Sequence, residues 1–446
     1  MNILVINGSP KGESSITLQT VRYLERKYPQ HSFETLHAGL KIKALEKDFA
    51  PAKAALSRAE LVLFAYPVYT FIAPAQLHRF IELAKESGVS LQGKYAAQIT
   101  TSKHFYDVTA HRYVQDNCAD LGMKYVGGLS ADMDDLLTSR GRADARAFFE
   151  FAVMSAESGL YEPASALPQT AARRPVTPVS SDAADKPGDV VIVCDLAEGD
   201  AQLAAMIARF RAELPLATRV VNLREYPFAG GCLGCFHCAA EGRCVYRDGF
   251  DDYLRNTIQS AQAIVYAFTI RDHSMGARMK LYDDRQFCNG HRTVTMGMPM
   301  GYLISGDYSR EMNLRMIIEG RAQVGGNFLA GAATDETDPD REISRLAKNL
   351  AYALEKRYAP PQNFYGVGGM KIFRDLIWIM QGMMKADHRF YKAHGQYDFP
   401  QKQWRTMLKM QLVGLLMASP RLMSKADGAM TKGMLAPYEK AIEAED

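Results

Sequence analysis

Two stretches about two hundred residues apart read as copies of one another, SRAELVLFAYPVYTF at 57–71 and QSAQAIVYAFTIRDH at 259–273. A second pair, YVGGLSADMDD at 125–135 and VGGNFLAGAATDE at 324–336, follows them. Self-similarity on this scale restricts the chain to tandem copies of one structural unit. In the first copy NILVING (2–8), ELVLFAY (60–66), KYAAQITTS (94–102) and KYVGGLS (124–130) read as strands with helical patterns between them. These runs lack alternating polarity, which implies parallel sheets covered by helices on both faces. DVVIVCD (189–195), ATRVVNL (217–223), AQAIVYAF (261–268), GYLISG (301–306) and VGGNFLAG (324–331) restart the pattern, with a helix near 200–213. The expected fold class is therefore α/β: two tandem doubly wound parallel sheets of order 2-1-3-4-5, over 1–160 and 189–358. Five prolines and little apolar content mark 161–188 as an extended linker. The Met-rich region 359–446 reads as an α-helical extension that packs on the domains or on a second subunit, with a role at a lipid surface as the alternative.

At 446 residues the chain is too long for one ordinary core, which agrees with a duplication. Hydrophobic residues at 47% and charged residues at 23% suit a globular protein, and a net charge of +3 offers no concentrated basic stripe for nucleic acid. The longest apolar run, at 407–423, carries Lys409, Gln411 and Pro420, so no transmembrane span is expected. The opening MNILVINGSP lacks the pattern of an export signal, and a cytoplasmic location is expected.

The stretch NGSPKGESSITLQT (7–20) leaves the first strand and opens a helix. In a parallel sheet this is the mouth of the ligand crevice, where free N–H groups and the positive end of the helix dipole attract an anion. Ser9, Ser14, Ser15 and Thr17 add hydroxyls, and Lys11 adds charge. Neither G-x-x-x-x-G-K-[ST] nor G-x-G-x-x-G occurs, so the loop suits a single terminal phosphate better than a nucleotide chain. With strand order 2-1-3, YPVYTF at the end of the third strand faces the same crevice, and its aromatic residues imply a flat ring on the ligand.

Here the sequence resembles the flavodoxin-like NAD(P)H-dependent FMN reductases and the related iron–sulfur flavoproteins. Their patterns run G-S-P-[RK] with Ser, Asn and Thr at the phosphate, then P-V-Y and P-A-x-L-K-x-F at the isoalloxazine. GSPKGESSIT and YPVYTFIAPAQLHRF match nearly throughout, departing at Ser15 and Ile16, where Asn-Thr is common, and at His78, where Lys is common. The resemblance implies FMN, with Ser9, Lys11, Ser14, Ser15, Ile16 and Thr17 at its phosphate and Pro67, Val68, Tyr69, Thr70 and Phe71 at its ring. A third family segment, TTSKHFYD, would bring Thr101, Ser102, Lys103, His104 and Tyr106 to the ring in place of a glycine-rich turn, enclosing the flavin more fully. It also implies NAD(P)H as electron donor, although no nicotinamide fingerprint is visible. Tyr69, His104 and Tyr106 are the catalytic candidates of this half.

The second copy differs where the first binds phosphate. Its loop, CDLAEGDAQLAAM, carries Asp195, Glu198 and Asp200. At ~6 Å and an effective dielectric of ~20, each like-charge pair repels by roughly 3 kcal/mol, so this loop is expected to reject a phosphate. In place of that site stands GCLGCFHCAAEGRC, with Cys232, Cys235, Cys238 and Cys244 spaced C-x2-C-x2-C-x5-C. Four convergent thiolates suit a [4Fe–4S] cluster or zinc, and reactive thiols without metal are the remaining alternative. The spacing resembles the compact cysteine motif of iron–sulfur flavoproteins, which lies in the same segment between strands 2 and 3. Cys118, Cys194 and Cys288 read as buried small residues.

In this family the flavin lies at a subunit interface, so a duplicated chain could pair a flavin half with a cluster half as an internal pseudo-dimer, with a homodimer also open. Arg271 and His273, in the altered second loop, then become candidates to cap the flavin or contact substrate. The expected function is an FMN-dependent oxidoreductase acting on a small-molecule acceptor. Its rivals are an electron-transfer flavoprotein fed by a ferredoxin-type carrier, and a non-catalytic scaffold.

Overall fold

The computed structural model describes residues 1–163, 172–179 and 186–417. The chain divides into two compact units, Met1–Phe390 and Tyr391–Asp446. In the first unit the strands are β1 (Asn2–Asn7), β2 (Ser32–Leu36), β3 (Leu61–Pro67), β4 (Tyr95–Ser102) and β5 (Lys124–Asp132), then β6 (Val190–Cys194), β7 (Thr218–Asn222), β8 (Ala263–Thr269), β9 (Met300–Ser305) and β10 (Leu329–Thr334). They form two all-parallel sheets, β2-β1-β3-β4-β5 and β10-β9-β8-β6-β7. Helices α1 (Ile16–Lys27), α2 (Ala38–Lys47), α3 (Ala50–Arg58), α4 (Ala75–Glu86), α5 (Asp107–Asp120) and α6 (Ser139–Glu157) cover the first sheet. Helices α7 (Ala201–Glu213), α8 (His237–Glu241), α9 (Phe250–Tyr253), α10 (Gly276–Arg285), α11 (Met312–Val324) and α12 (Pro339–Lys356) belong to the second. Then come α13 (Phe364–Ile379) and α14 (Lys385–Ala393), within which the unit boundary falls, and α15 (Trp404–Met417) in the second unit.

The sequence reading omitted β2, whose residues SFETL are only partly buried at a sheet edge and give little apolar signal. It also placed the last strand too early: Val324 ends α11, Gly325 and Gly326 turn the chain, and pairing begins at Leu329. The repeat is aligned by a shared bulge, Gly127 in β5 at φ +135° and Gly331 in β10 at φ +137°, rather than by the two VGG triplets. Part of the expected linker lies outside the described residues. Of its described residues, Val176 is buried, Arg174 donates its N–H to the Asp335 carbonyl at 2.7 Å, and Thr177 N–H meets Asp340 at 3.1 Å.

Each outer helical layer has its own core: Leu18, Val21 and Leu24 of α1 with Phe149 of α6, and Met206 and Phe210 of α7 with Leu346 and Leu350 of α12. The inner layers do not separate. Leu77, Phe80 and Ile81 of α4 share one continuous core with Met279 and Tyr282 of α10 and Ile317 of α11. Burying each such side chain contributes about 2 kcal/mol, so the two domains are joined by apolar packing and not by the connecting segment alone.

Polar contacts at this junction repeat about a pseudo-two-fold axis. The Asp284 carboxylate accepts the Ala75 N–H at the start of α4, at 2.8 Å, and the Glu82 carboxylate accepts the Ala277 N–H at the start of α10, also at 2.8 Å. Each helix therefore supplies the other's N-terminal anion. The turns preceding them match as well: Tyr69 pairs with Ile72 and Arg271 with Ser274, and both central residues of each turn have positive φ, Thr70 and Phe71 in one, Asp272 and His273 in the other.

At the rim of the junction His273 lies 3.0 Å from Asp120 and 2.9 Å from Glu311. Burial opposes its charge, but the hydrogen bonds to the two carboxylates outweigh burial and lift its pKa from 6.5 to about 10. The raised value means the contact stabilises the fold fully below pH 6.5 and is lost as pH rises through about 10. Thermal melts should show His273→Gln less stable than the wild type at neutral pH, with the difference closing toward pH 10. In urea, Asp284→Ala should cost about 3 kcal/mol because it leaves buried Lys280 short of a partner, and Glu82→Ala about 1 kcal/mol.

Candidate functional site

A cavity of 430 Å³ opens at the carboxyl end of the first sheet, and residues of both domains line it. From the first domain come Ser9, Lys11, Ser15, Ile16 and Thr17, then the whole run Pro67, Val68, Tyr69, Thr70 and Phe71, then Thr101, Ser102 and Lys103. α1 begins at Ile16 with Ser15 as its cap, so first-turn N–H groups without intrahelical acceptors face this end of the cavity. Thr17 and Thr101 share a hydroxyl–hydroxyl bond of 2.6 Å beneath it. These donors fit a phosphate, and the loops beside them fit a flat ring.

Not every expected residue reaches the lining. Ser14 is exposed on the short helical turn Gly12–Ser14. His104 turns outward to Asp107, at 3.0 Å, and Tyr106 packs behind the lining against Phe71, with ring centroids 4.2 Å apart. Phe105, which the sequence reading passed over, lines the cavity instead, its ring tilted against those of Phe71 and Phe373 at centroid distances of 4.9 and 4.8 Å. Arg271 and His273 are also off the lining: His273 is held in the ion-pair cluster at the junction, and Arg271 lies on the side of the second crevice, where its charge acts on Asp195.

Cys232, Cys235, Cys238 and Cys244 all line the same cavity. Among the described residues no group of three or more His, Cys, Asp or Glu side chains stands at metal-holding geometry. Burial pushes the Cys232 thiol well up and the Cys238 thiol to about 11. Gly234 donates its N–H to the Cys232 sulfur at 3.5 Å. Cys288 is buried as expected, yet it lines the cavity too, and Arg255 donates to both its carbonyl and that of Gly242 in the cysteine segment. The donor set therefore fits a thiolate-bound group in kind.

The cysteine turn touches the flavin-type loop directly. Gly234 has φ +61°, and a Cβ there would lie 1.9 Å from the Tyr69 hydroxyl, so only glycine admits this approach. Lys11 stands over the Phe236 ring at 5.7 Å.

Beneath Tyr69 lies a buried charge cluster. Thr70 Oγ1 is 2.5 Å from Asp283 and 2.8 Å from Asp284; Lys280 donates to both carboxylates, to Thr70 Oγ1 and, at 2.9 Å, to the Tyr69 carbonyl. Arg321 closes it, 2.6 Å from Asp283 and stacked over Phe71. Burial holds Asp284 above the usual carboxylate range, whereas Arg321 and Lys280 overcome burial at Asp283 and hold it below. By the repeat, Lys280 stands where the first copy has His78 and Asp284 where it has Glu82, a correspondence present in the sequence. Ile372, Phe373 and Leu376 of α13 form a further wall, which the sequence reading treated only as part of an extension.

The corresponding crevice of the second domain is differently furnished. Asp195 is paired with Arg224 at 2.7 Å, and Asp200 caps α7 and accepts from Thr269 at 2.6 Å. The donors that would meet a phosphate are already engaged by carboxylates.

Fold and site define a flavin-dependent oxidoreductase of the flavodoxin-like class. Residues 1–134 match the model of the NADPH-dependent FMN reductases, to which this domain is similar. An iron–sulfur flavoprotein of Archaeoglobus fulgidus is 27% identical over 175 residues, 37% of this chain and 78% of the relative. Among solved structures, an FMN-dependent NADH-azoreductase from Bacillus anthracis shares 14% identity over 35% of this chain and 99% of its own, with a TM-score of 0.27. An NADPH-quinone reductase from P. pentosaceus shares 14% over 36% of this chain and 100% of its own, also at 0.27.

Gly234→Ala should drive Tyr69 from its place and weaken FMN retention, measured by quenching of flavin fluorescence; Tyr69→Phe in the same chain removes the colliding oxygen and should recover part of it. Thr17→Val, which breaks the bond to Thr101, should weaken FMN binding about tenfold.

Proposed function

We propose that this protein passes electrons from NAD(P)H through FMN to a small acceptor, with a [4Fe–4S] cluster on Cys232, Cys235, Cys238 and Cys244 as a relay beside the flavin. The observation that carries this reading is that one cavity is lined by the phosphate and ring loops of the first domain and by all four cysteines of the second. When bound, FMN supplies hydride and single-electron chemistry and the cluster single-electron transfer.

The chain's own part is binding and enclosure. The start of α1, with Ser9, Ser15 and Thr17, holds the phosphate, and Lys11 adds its charge. Pro67 to Phe71 shape the ring pocket, fixed from below by Lys280, Asp283 and Asp284. Phe105, Phe373 and Leu376 exclude water from the far wall. The cysteines ligate as thiolates, so loading must release the protons that burial holds on Cys232 and Cys238. The N–H of Gly234 remains to donate to the Cys232 sulfur, a contact that would tune the potential of a bound cluster.

Protein purified without oxygen should carry flavin and about four irons per chain. Cys235→Ser should lose iron and keep flavin. Prompt bleaching of the flavin by NADH or NADPH supports the enzyme, while bleaching by reduced ferredoxin alone supports a pure electron carrier. Flavin without iron, or with zinc, would remove the cluster from the scheme and leave the reductase.

A further inference from the structure

The second unit contains α15, WRTMLKMQLVGLLM, which the flavin chemistry does not use. Trp404, Leu408, Leu412 and Leu415 recur at helical spacing on one side, and all four are exposed, Trp404 by 60% and Leu415 by 73%. Met407 and Met410 are exposed as well. A contiguous apolar surface of this kind marks an interaction site.

Its charge says what it meets. From Phe399 to Ala426 the sequence carries Lys402, Arg405, Lys409, Arg421 and Lys425 and no Asp or Glu. Arg405 and Lys409 follow one another at i and i+4 along the flank of the apolar stripe. A symmetric contact with a second copy would set these cations against their own kind with no acid from the same segment to pair them. An anionic lipid surface instead takes the apolar side chains into its acyl boundary and pairs the cations with headgroups, with Trp404 at the interface. The described helix, about 21 Å long, carries Arg405 and Lys409 within it, which suits lying in the surface and not crossing the roughly 30 Å hydrocarbon core. Among the described residues, no helix is long and apolar enough to cross a membrane.

We propose that α15 docks the protein on anionic bilayers as an in-plane helix. The test is flotation of the full chain with vesicles of phosphatidylcholine alone and of phosphatidylcholine mixed equally with phosphatidylglycerol, with no need for bound flavin. The chain should float with the anionic vesicles at low salt, be released by high salt, and bind the neutral vesicles far less. Leu408→Glu with Leu412→Glu should abolish flotation, circular dichroism confirming the fold. The triple variant Lys402→Ala, Arg405→Ala, Lys409→Ala, which keeps the apolar stripe, should weaken partition roughly a hundredfold. Failure of the wild type to float with either vesicle would overturn the proposal, as would flotation undiminished in either variant. Light scattering that found a dimer dissociated by Leu408→Glu would assign the face to a second copy instead.

Discussion

The contact on which the rest of the molecule depends is the one between α4 and α10. Each helix begins without partners for its first N–H groups, and each finds its anion on the other: Asp284 for Ala75, Glu82 for Ala277. A helix start inside a protein must be satisfied, and here neither domain can satisfy its own from within the pair. The apolar faces of the same helices share one core, so separating the domains would expose apolar surface on both and leave the Ala75 and Ala277 N–H groups without their carboxylates. This locks the loop 67–75 against the second domain. The cavity exists because that loop and the cysteine segment are held to a common frame.

From that frame the division of labour follows. The first crevice offers a helix start, hydroxyls and one lysine. The second has engaged the same positions with Asp195, Asp200 and Arg224. The second domain contributes a wall of the first crevice: its cysteine turn comes within contact distance of Tyr69, and Lys280 fixes the backbone of the loop at Tyr69 from below.

Much of this was legible in the sequence where the signal was local. Buried parallel strands are continuous apolar runs, and β1, β3, β6 and β8 were read nearly to the residue. The two loops of the first domain that line the cavity stood out by hydroxyls and aromatics at strand ends. β2 was not legible because an edge strand with SFETL needs its neighbour to be seen as a strand at all. His104 and Phe105 show a different limit: which side of this loop meets the cavity is set by the packing of Phe105 on Phe71 and Phe373, distant contacts that leave no local mark. Arg271 and His273 were candidates to cap the flavin or contact substrate because they lie in the altered loop of the second copy, but the two-fold relation sends that loop away from the cavity of the first. The contribution of α13 depends on contacts hundreds of residues away in sequence and left no local mark.

The matched turns at Tyr69–Ile72 and Arg271–Ser274 carry one last implication. In an assembly of identical subunits any substitution is made twice, so a mutation that improves one pocket is imposed on its twin. A covalent tandem escapes this. Here one ancestral geometry persists in the backbone of both halves, while their side chains have been free to specialise, and asymmetry of chemistry has been reached without giving up symmetry of packing.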